Sequence, residues 1–107
     1  MLLDNAIKEF LLELDIKDSS KDTIRSYTNA LKVFEEFMAD NDNINNIKAI
    51  HIKEFAKFNK DRRLNKKIQN GYIYAIRALY TYFIDEHIVS KYLGFSVKLV
   101  NKYKRSL

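Results

Sequence analysis

In the stretch "SSKDTIRSYTNALKVFEEFM", residues 19–38, apolar side chains recur every three to four residues. That period places them on one face of an α-helix, where they can be buried together. Ser19 is predicted to cap this helix, with Asp22 three residues later as in a capping box. The expected buried face consists of Ile24, Tyr27, Leu31, Phe34 and Met38. The opposite face is polar over its whole length.

The same period recurs in three other segments, so the chain is predicted to be all-α. We expect helices over about residues 4–14, 51–59 and 66–85, with Asn65 capping the last of them. The segment at 40–46 is predicted to be a plain loop, and 88–99 to form a short fifth helix. The buried side of the 66–85 helix is expected to comprise Ile68, Tyr72, Ala75, Ile76, Leu79 and Phe83. The predicted architecture is a compact four- or five-helix bundle.

Composition excludes several classes of protein. The 107 residues suit one domain, and the absence of cysteine excludes disulfides and thiol catalysis and fits a reducing cytoplasm. The N-terminus lacks the cationic start of a signal peptide. The longest apolar stretch is shorter than a membrane span and contains Arg77. A soluble cytoplasmic protein that does not enter a membrane is expected.

Residues suited to catalysis are few. His51 and His87 are far apart in sequence, and neither has the spacing of a metal ligand. The adjacent acidic pairs at 35–36 and 85–86 point about 100° apart on a helix, so neither pair converges on a substrate. Two isolated glycines cannot form a phosphate-binding loop. No enzyme activity, cofactor or metal is predicted for this chain by itself.

Positive charge is concentrated in the second half of the chain. Residues 1–50 hold six Lys or Arg and ten Asp or Glu, a net of −4, whereas residues 51–107 hold thirteen and four, a net of +9. A segregated basic half is typical of a surface that binds a polyanion. Lysine-rich and asparagine-rich usage in an AT-rich genome is an alternative explanation of the charge taken alone.

Two polar stripes carry the residue types that contact nucleic acid. Arg25, Asn29 and Lys32 recur at helical spacing in the second helix, opposite its apolar face. In the fourth helix Lys67, Asn70, Tyr74 and Arg77 do the same. Arg and Lys contact phosphate or guanine, and Asn contacts adenine. Either stripe alone also fits an ordinary solvated helix surface, but the two together favour a nucleic-acid partner.

The motifs together resemble the SAM-like core-binding domain of tyrosine recombinases, the family of phage integrases and Xer-type enzymes. Ser20, Thr23, Tyr27, Leu31 and Phe34 fill the family pattern S-x-x-T-x-x-x-Y-x-x-x-L-x-x-F in order. "NGYIYAIRALYTYFID", residues 70–85, resembles the family's N-x-x-L-x-A-L-R-x-F-Y-x-Y helix. The likeness covers about residues 4–100. Two departures affect helix boundaries: Lys48 replaces the usual Thr or Ser cap, and Tyr92 stands near the family's proline.

The resemblance implies a DNA-binding part of a recombinase that does not cut DNA itself. In this family the domain lays its second and fourth helices in the major groove on one face of the recombination site. A separate catalytic domain on the same parent chain supplies the tyrosine nucleophile, and other protomers bind the same DNA. This chain contains no His-x-x-Arg motif. Residues 1–100 are expected to form the core-binding domain, and residues 101–107 a basic tail that begins the linker.

The expected contacts to double-stranded DNA combine the resemblance with the two stripes. They are Lys21, Thr23, Arg25, Ser26, Asn29, Lys32, Arg62, Arg63, Lys66, Lys67, Asn70, Tyr74 and Arg77. For Arg77, a bracing role inside the bundle is the alternative.

Two other classes of protein compete with this interpretation. A helical protein-interaction module would use exposed apolar residues such as Phe37, Phe58, Tyr82 or Phe95 and would bind independently of salt. A helix-turn-helix regulator needs a tighter turn than the loop at 40–46 offers. DNA binding through a core-binding domain is therefore the preferred hypothesis.

Overall fold

The computed structural model describes residues 1–39 and 43–85, which form four α-helices. These are α1 (Leu3–Ile16), α2 (Lys21–Met38), α3 (Ala49–Asp61) and α4 (Lys66–Asp85). Within that part of the chain the only extended pairing is a single bridge between Leu2 and Asn43. The all-α prediction is confirmed. The predicted fifth helix at 88–99 and the basic tail at 101–107 lie outside the described residues.

The cap of α2 is Ser20, so the prediction of Ser19 was wrong by one residue. The Ser20 hydroxyl accepts a hydrogen bond from the Thr23 backbone N–H at 3.1 Å and donates to the Thr23 hydroxyl at 2.9 Å. Ser19 instead closes α1, because its backbone N–H donates to the Leu14 carbonyl at 3.0 Å. Asp18, with φ of 57°, makes the left-handed turn that this closure requires.

Helix α3 is longer than predicted and has an unusual start. It begins at Ala49, and Lys48, whose side chain cannot accept a hydrogen bond, is its N-cap residue. His51 Nδ1 accepts from the Lys48 backbone N–H at 2.8 Å. His51 thus takes the role of the N3 residue of a capping box and satisfies the backbone N–H of the N-cap residue, while the Lys48 side chain makes no cap hydrogen bond.

Helices α2 and α4 run antiparallel. The centroid of the Phe10 ring of α1 lies 5.9 Å from the ring centroids of both Tyr27, early in α2, and Tyr82, late in α4. At the other end the Phe55 ring of α3 lies 5.2 Å from Phe37, late in α2, and 6.0 Å from Tyr72, early in α4. Phe10 of α1 therefore lies at one end of the α2–α4 pair, and Phe55 of α3 lies at the other.

The segment at 40–46 is more than the plain loop predicted from its polar residues. In its described part Ile44 is fully buried, as is Ile47 just beyond it. The buried Tyr80 hydroxyl of α4 donates to the Ile44 carbonyl at 3.0 Å. The connection between α2 and α3 is thus fastened to the core by a contact between residues 36 positions apart.

Ile68 was predicted to be buried and is 40% exposed. The first buried apolar residue of α4 is Ile73, so the first turn of α4 extends beyond the core. No helix among the described residues is long and apolar enough to cross a membrane.

Tyr80→Phe is expected to lower the free energy of unfolding by about 1–3 kcal/mol at pH 7, because the Ile44 carbonyl loses its buried donor. Burial also raises the pKa of Tyr80 above its usual value. The phenol stays neutral in the folded protein, whereas it ionises near pH 10 in the unfolded chain. The stability difference between wild type and variant is therefore full below about pH 10. It shrinks above that pH by up to about 1.4 kcal/mol per pH unit.

Urea unfolding of both proteins between pH 8 and 11.5 measures this difference. A difference that stays constant across the range would contradict the assignment of Tyr80 as a buried, neutral donor.

Candidate nucleic-acid interface

The polar side of α2 faces solvent along its whole length. All six residues predicted there are exposed, namely Lys21, Thr23, Arg25, Ser26, Asn29 and Lys32. Arg25 Nη1 lies 3.4 Å from Asp22 Oδ1, but both side chains are so exposed that this pair contributes little and leaves Arg25 available. The Thr23 hydroxyl accepts a hydrogen bond from Ser20 at the cap. The structure places these residues where a ligand could reach them.

The charge on this side of α2 is mixed. Lys21, Arg25 and Lys32 share the exposed face with Asp22 and Glu36. Two carboxylates among three cations leave only a small positive excess. Helix α2 alone is therefore a weaker attractant for a polyanion than its three cations suggest.

The densest positive charge lies where α3 turns into α4. This α3–α4 corner, residues 57–67, has six exposed cations and Asp61 as its only carboxylate. Lys57 Nζ contacts both Asp61 oxygens, at 2.9 and 2.6 Å. The exposed cations are Lys57, Lys60, Arg62, Arg63, Lys66 and Lys67. The corner thus keeps a large positive excess after its one ion pair is counted.

The turn itself brings these cations together. Arg63 has φ of 60°, the left-handed conformation that ends a helix and reverses the chain. Two residues later Asn65 Oδ1 accepts from the Ile68 backbone N–H at 2.8 Å, which confirms Asn65 as the cap of α4. Because only four residues separate α3 from α4, cations on both helix ends lie on one corner of the molecule.

Lys66 and Lys67 lie at the unfavourable end of a helix dipole. The first turn of α4 contains both lysines and no acidic residue. The N-terminus of a helix carries partial positive charge, so cations there are repelled and an anion is attracted. A bound anion would relieve this repulsion.

Arg62 is held by two neighbours on α3. Its Nη2 donates to Asn59 Oδ1 at 3.0 Å, and its guanidinium carbon lies 4.9 Å from the centroid of the Phe58 ring. Asn59 is itself buried and donates through Nδ2 to the Phe55 carbonyl at 3.0 Å. We call Phe58 and Asn59 the Arg62 cradle.

The polar stripe predicted on α4 is only partly exposed. Tyr74 is 51% exposed, and Lys67 is exposed as well. Asn70 is only 6% exposed, so its predicted place on an open stripe was wrong. Arg77 is half-buried in a groove between α1 and α4 that Glu13 also lines. Three residues advance an α-helix by about 300°, about 60° short of a full turn, which turns Asn70 and Arg77 away from the line of Lys67 and Tyr74.

The candidate residues lie near opposite ends of the α2–α4 pair. Because the helices are antiparallel, Lys21 and Arg25 lie far from the corner, while Lys32 is nearer to it. Helix α2 has 18 residues and is therefore about 27 Å long. That length is comparable to one turn of B-DNA, about 34 Å.

Sequence reasoning missed Asn59 and gave Lys57 no role. The signal for Asn59 was present, since residues 52, 55 and 59 lie on one side of α3 and the first two are buried apolar residues. A polar residue on that side must find a hydrogen-bond partner, and Arg62 follows one turn later.

The exposed apolar residues proposed for a protein-interaction module are mostly packed. Phe37 and Tyr82 are half-buried against the core, and Phe95 lies outside the described residues. Phe58 is 39% exposed and lies beneath the Arg62 guanidinium. Leu12 and Ile16, one turn apart on α1, are more exposed. The surface singled out for that alternative does not exist as a continuous apolar patch in the described chain.

The two adjacent acidic residues of α2 have different surroundings, since Glu35 is half-buried and Glu36 is exposed. Glu35 and Glu36 diverge as predicted, but Glu35 meets Asp4 of α1. Burial, and then the hydrogen bond and charge of Asp4, raise the pKa of Glu35 above its usual value, while Lys8 acts in the opposite direction. Across the described residues no group of three or more potential ligands is placed to hold a metal ion.

The protein is a small all-α domain with a basic corner and a solvent-facing polar helix. Residues 7–87 match the model of the family described as phage integrase, N-terminal SAM-like domain, and the chain belongs to that family. The match confirms the resemblance seen in the motifs and supports a role in a tyrosine recombinase; it identifies an N-terminal domain and no catalytic one. No curated protein and no solved structure shows a significant match.

Proposed function

We propose that this chain is the DNA-binding, core-binding domain of a site-specific tyrosine recombinase and does not cleave DNA by itself. The observation that carries the proposal is the α3–α4 corner, with six exposed cations against one carboxylate. Family membership supplies the recombinase context. The proposed ligand is double-stranded DNA, whose phosphates would neutralise the excess positive charge of the corner.

The chemistry of the corner suits phosphate. Arg62 and Arg63 offer planar guanidinium groups that can make two parallel hydrogen bonds to one phosphate. Lys66 and Lys67 add charge where the α4 dipole already favours an anion. These contacts set position and affinity and are independent of base sequence.

The exposed faces of α2 and α4 would supply the groove contacts. Asn29 on α2 has an amide that can pair with adenine, and Tyr74 on α4 is exposed enough to meet a base or sugar. The proposed contacts on these helices and the corner are Lys21, Thr23, Arg25, Ser26, Asn29, Lys32, Arg62, Arg63, Lys66, Lys67 and Tyr74. The burial of Asn70 and Arg77 supports packing roles for both instead.

The wider context belongs to the same proposal. Residues 1–100 would form the core-binding domain, and residues 101–107 would lead toward a catalytic domain of the parent protein. Other protomers would occupy the same recombination site, and the reaction would take place in the cytoplasm. The domain would clamp one face of the DNA while the catalytic domain takes the other.

A titration with a labelled random-sequence duplex, followed by NMR at low and moderate salt, tests the proposal. If about four to six phosphates are neutralised, log affinity should fall against log salt with a slope of about −4 to −5. Shifts should concentrate at residues 21–32 and 57–74. Salt-insensitive shifts confined to apolar positions such as Leu12 and Ile16 would contradict DNA binding and favour an interaction module.

A further inference from the structure

Asn59 is a buried polar residue with no place in the hydrophobic core. It is 2% exposed and lies on the same side of α3 as Ile52 and Phe55. A buried amide must be hydrogen-bonded, and its two bonds run to the Phe55 carbonyl and from the Arg62 guanidinium. Its oxygen thus points outward, to a cation at the surface.

We propose that Asn59 and Phe58 are positioning residues that hold Arg62 in the conformation that binds a DNA phosphate. The inference rests on the proposed function and assigns a role to two residues that would not touch the phosphate. The bond that Arg62 Nη2 donates to the Asn59 amide oxygen fixes one edge of the guanidinium, and the Phe58 ring supports one of its faces.

The geometry leaves Arg62 able to bind. A guanidinium has five N–H donors in one plane, and the bond to Asn59 uses one of them. Stacking on Phe58 occupies a face of the group, whereas phosphate is bound through the edges. Arg62 as a whole is exposed, so its outer edge is accessible.

Preorganisation raises affinity because a side chain that is already ordered loses less rotamer freedom on binding. A free arginine would lose several rotatable bonds when it meets a phosphate. Removing the cradle should therefore weaken duplex binding about three- to tenfold while leaving the charge in place. Lys60, one turn after Ala56 on the same helix, provides a comparable exposed cation outside the cradle.

The first arm of the test uses the protein without DNA. The Nε–H signal of Arg62 should be well dispersed in wild-type NMR spectra, with slow rotation of the guanidinium. In Phe58→Leu and in Asn59→Ala that signal should move toward the position of a free arginine. Because Asn59 is buried, its variant can lose stability; Phe58 is partly exposed, so its variant keeps the test decisive. An Arg62 signal unchanged in Phe58→Leu would overturn the proposal.

The second arm is a double-mutant cycle on duplex affinity. Phe58→Leu should weaken binding in the wild-type background and have no further effect in the Arg62→Ala background. In the matched Lys60→Ala background its effect should persist in full. An equal loss in the Arg62→Ala background would show that Phe58 acts independently of Arg62 and would overturn the proposal.

Failure of the proposed function can be distinguished from failure of the role given to the Arg62 cradle. If wild type shows no salt-dependent binding and Lys67→Ala changes nothing, the domain does not bind DNA. If wild type binds and Lys67→Ala weakens it but the cycle shows no coupling, only the role of the cradle is lost.

Discussion

Replacing Arg62, Arg63, Lys66 and Lys67 together by alanine is expected to weaken duplex binding at least a hundredfold at about 0.1 M salt. Each phosphate contact contributes about 0.9 to the slope of log affinity against log salt, so the slope should become shallower by about 3–4. Fluorescence anisotropy with a random duplex over a range of salt concentrations measures both quantities. All four residues are exposed, so the fold should survive, which circular dichroism can verify.

A matched variant separates the corner from net charge. Replacing Lys8, Lys17, Lys48 and Lys53 by alanine removes the same number of positive charges, four, from exposed positions outside the proposed interface. Lys8 and Lys17 already pair with Asp4 and Glu13 on α1. This variant should keep most of its affinity and its salt slope. An equal loss in both variants would mean that overall charge, and not the corner, attracts the DNA.

Phe55→Ala is expected to lower the free energy of unfolding by about 3–5 kcal/mol, the usual loss for a large aromatic residue in a core. Phe55 is fully buried. The centroid of its ring lies 5.1, 5.2 and 6.0 Å from the ring centroids of Phe34, Phe37 and Tyr72, respectively. These contacts join α3 to both α2 and α4. Small domains are stable by only about 5–15 kcal/mol, so a large part of the total would be lost.

Urea unfolding at pH 7 measures that loss, and Phe58→Ala is the control on the same helix. Phe58 is partly exposed and packs on Phe37 alone among the aromatic residues of the described chain, so its loss should be much smaller. Similar losses for the two variants would show that Phe55 does not join the helices as described. Because the corner follows α3 directly, Phe55→Ala should also weaken DNA binding through unfolding.

Local signals predicted the helices well and their ends less well. Apolar period located all four helices, and Asn65 was identified as a cap from its residue type and position. Ser19 and Ser20 are both good caps by residue type, so sequence could not choose between them. The choice was made by α1, whose closing hydrogen bond takes the backbone of Ser19. The start of α3 was missed because Lys48 is not a capping residue type, and the side-chain bond at this end is made by His51, which accepts from the Lys48 backbone N–H.

The candidate site was predicted in its cations and missed in its arrangement. Arg62, Arg63, Lys66 and Lys67 were expected and are exposed. Asn70 was expected on the open stripe and is buried. The helical period shows which residues share a side of a helix, but it does not show how far a neighbouring helix covers that side. Asn59 was missed because its role depends on the Arg62 contact and on the depth of α3 in the core.

The all-α class, the amphipathic faces and the basic second half of the chain could all be predicted from the sequence. The class and the faces follow from the helical period of apolar residues, a pattern between residues within about two turns of one another. The charge follows from composition. Only the folded structure shows that α2 and α4 are antiparallel, that the Tyr80 hydroxyl donates to the Ile44 carbonyl, and that Phe10 and Phe55 pack at opposite ends of the pair. Burial depends on contacts between residues far apart in the chain, and no local period of apolar residues indicates which of these side chains meet.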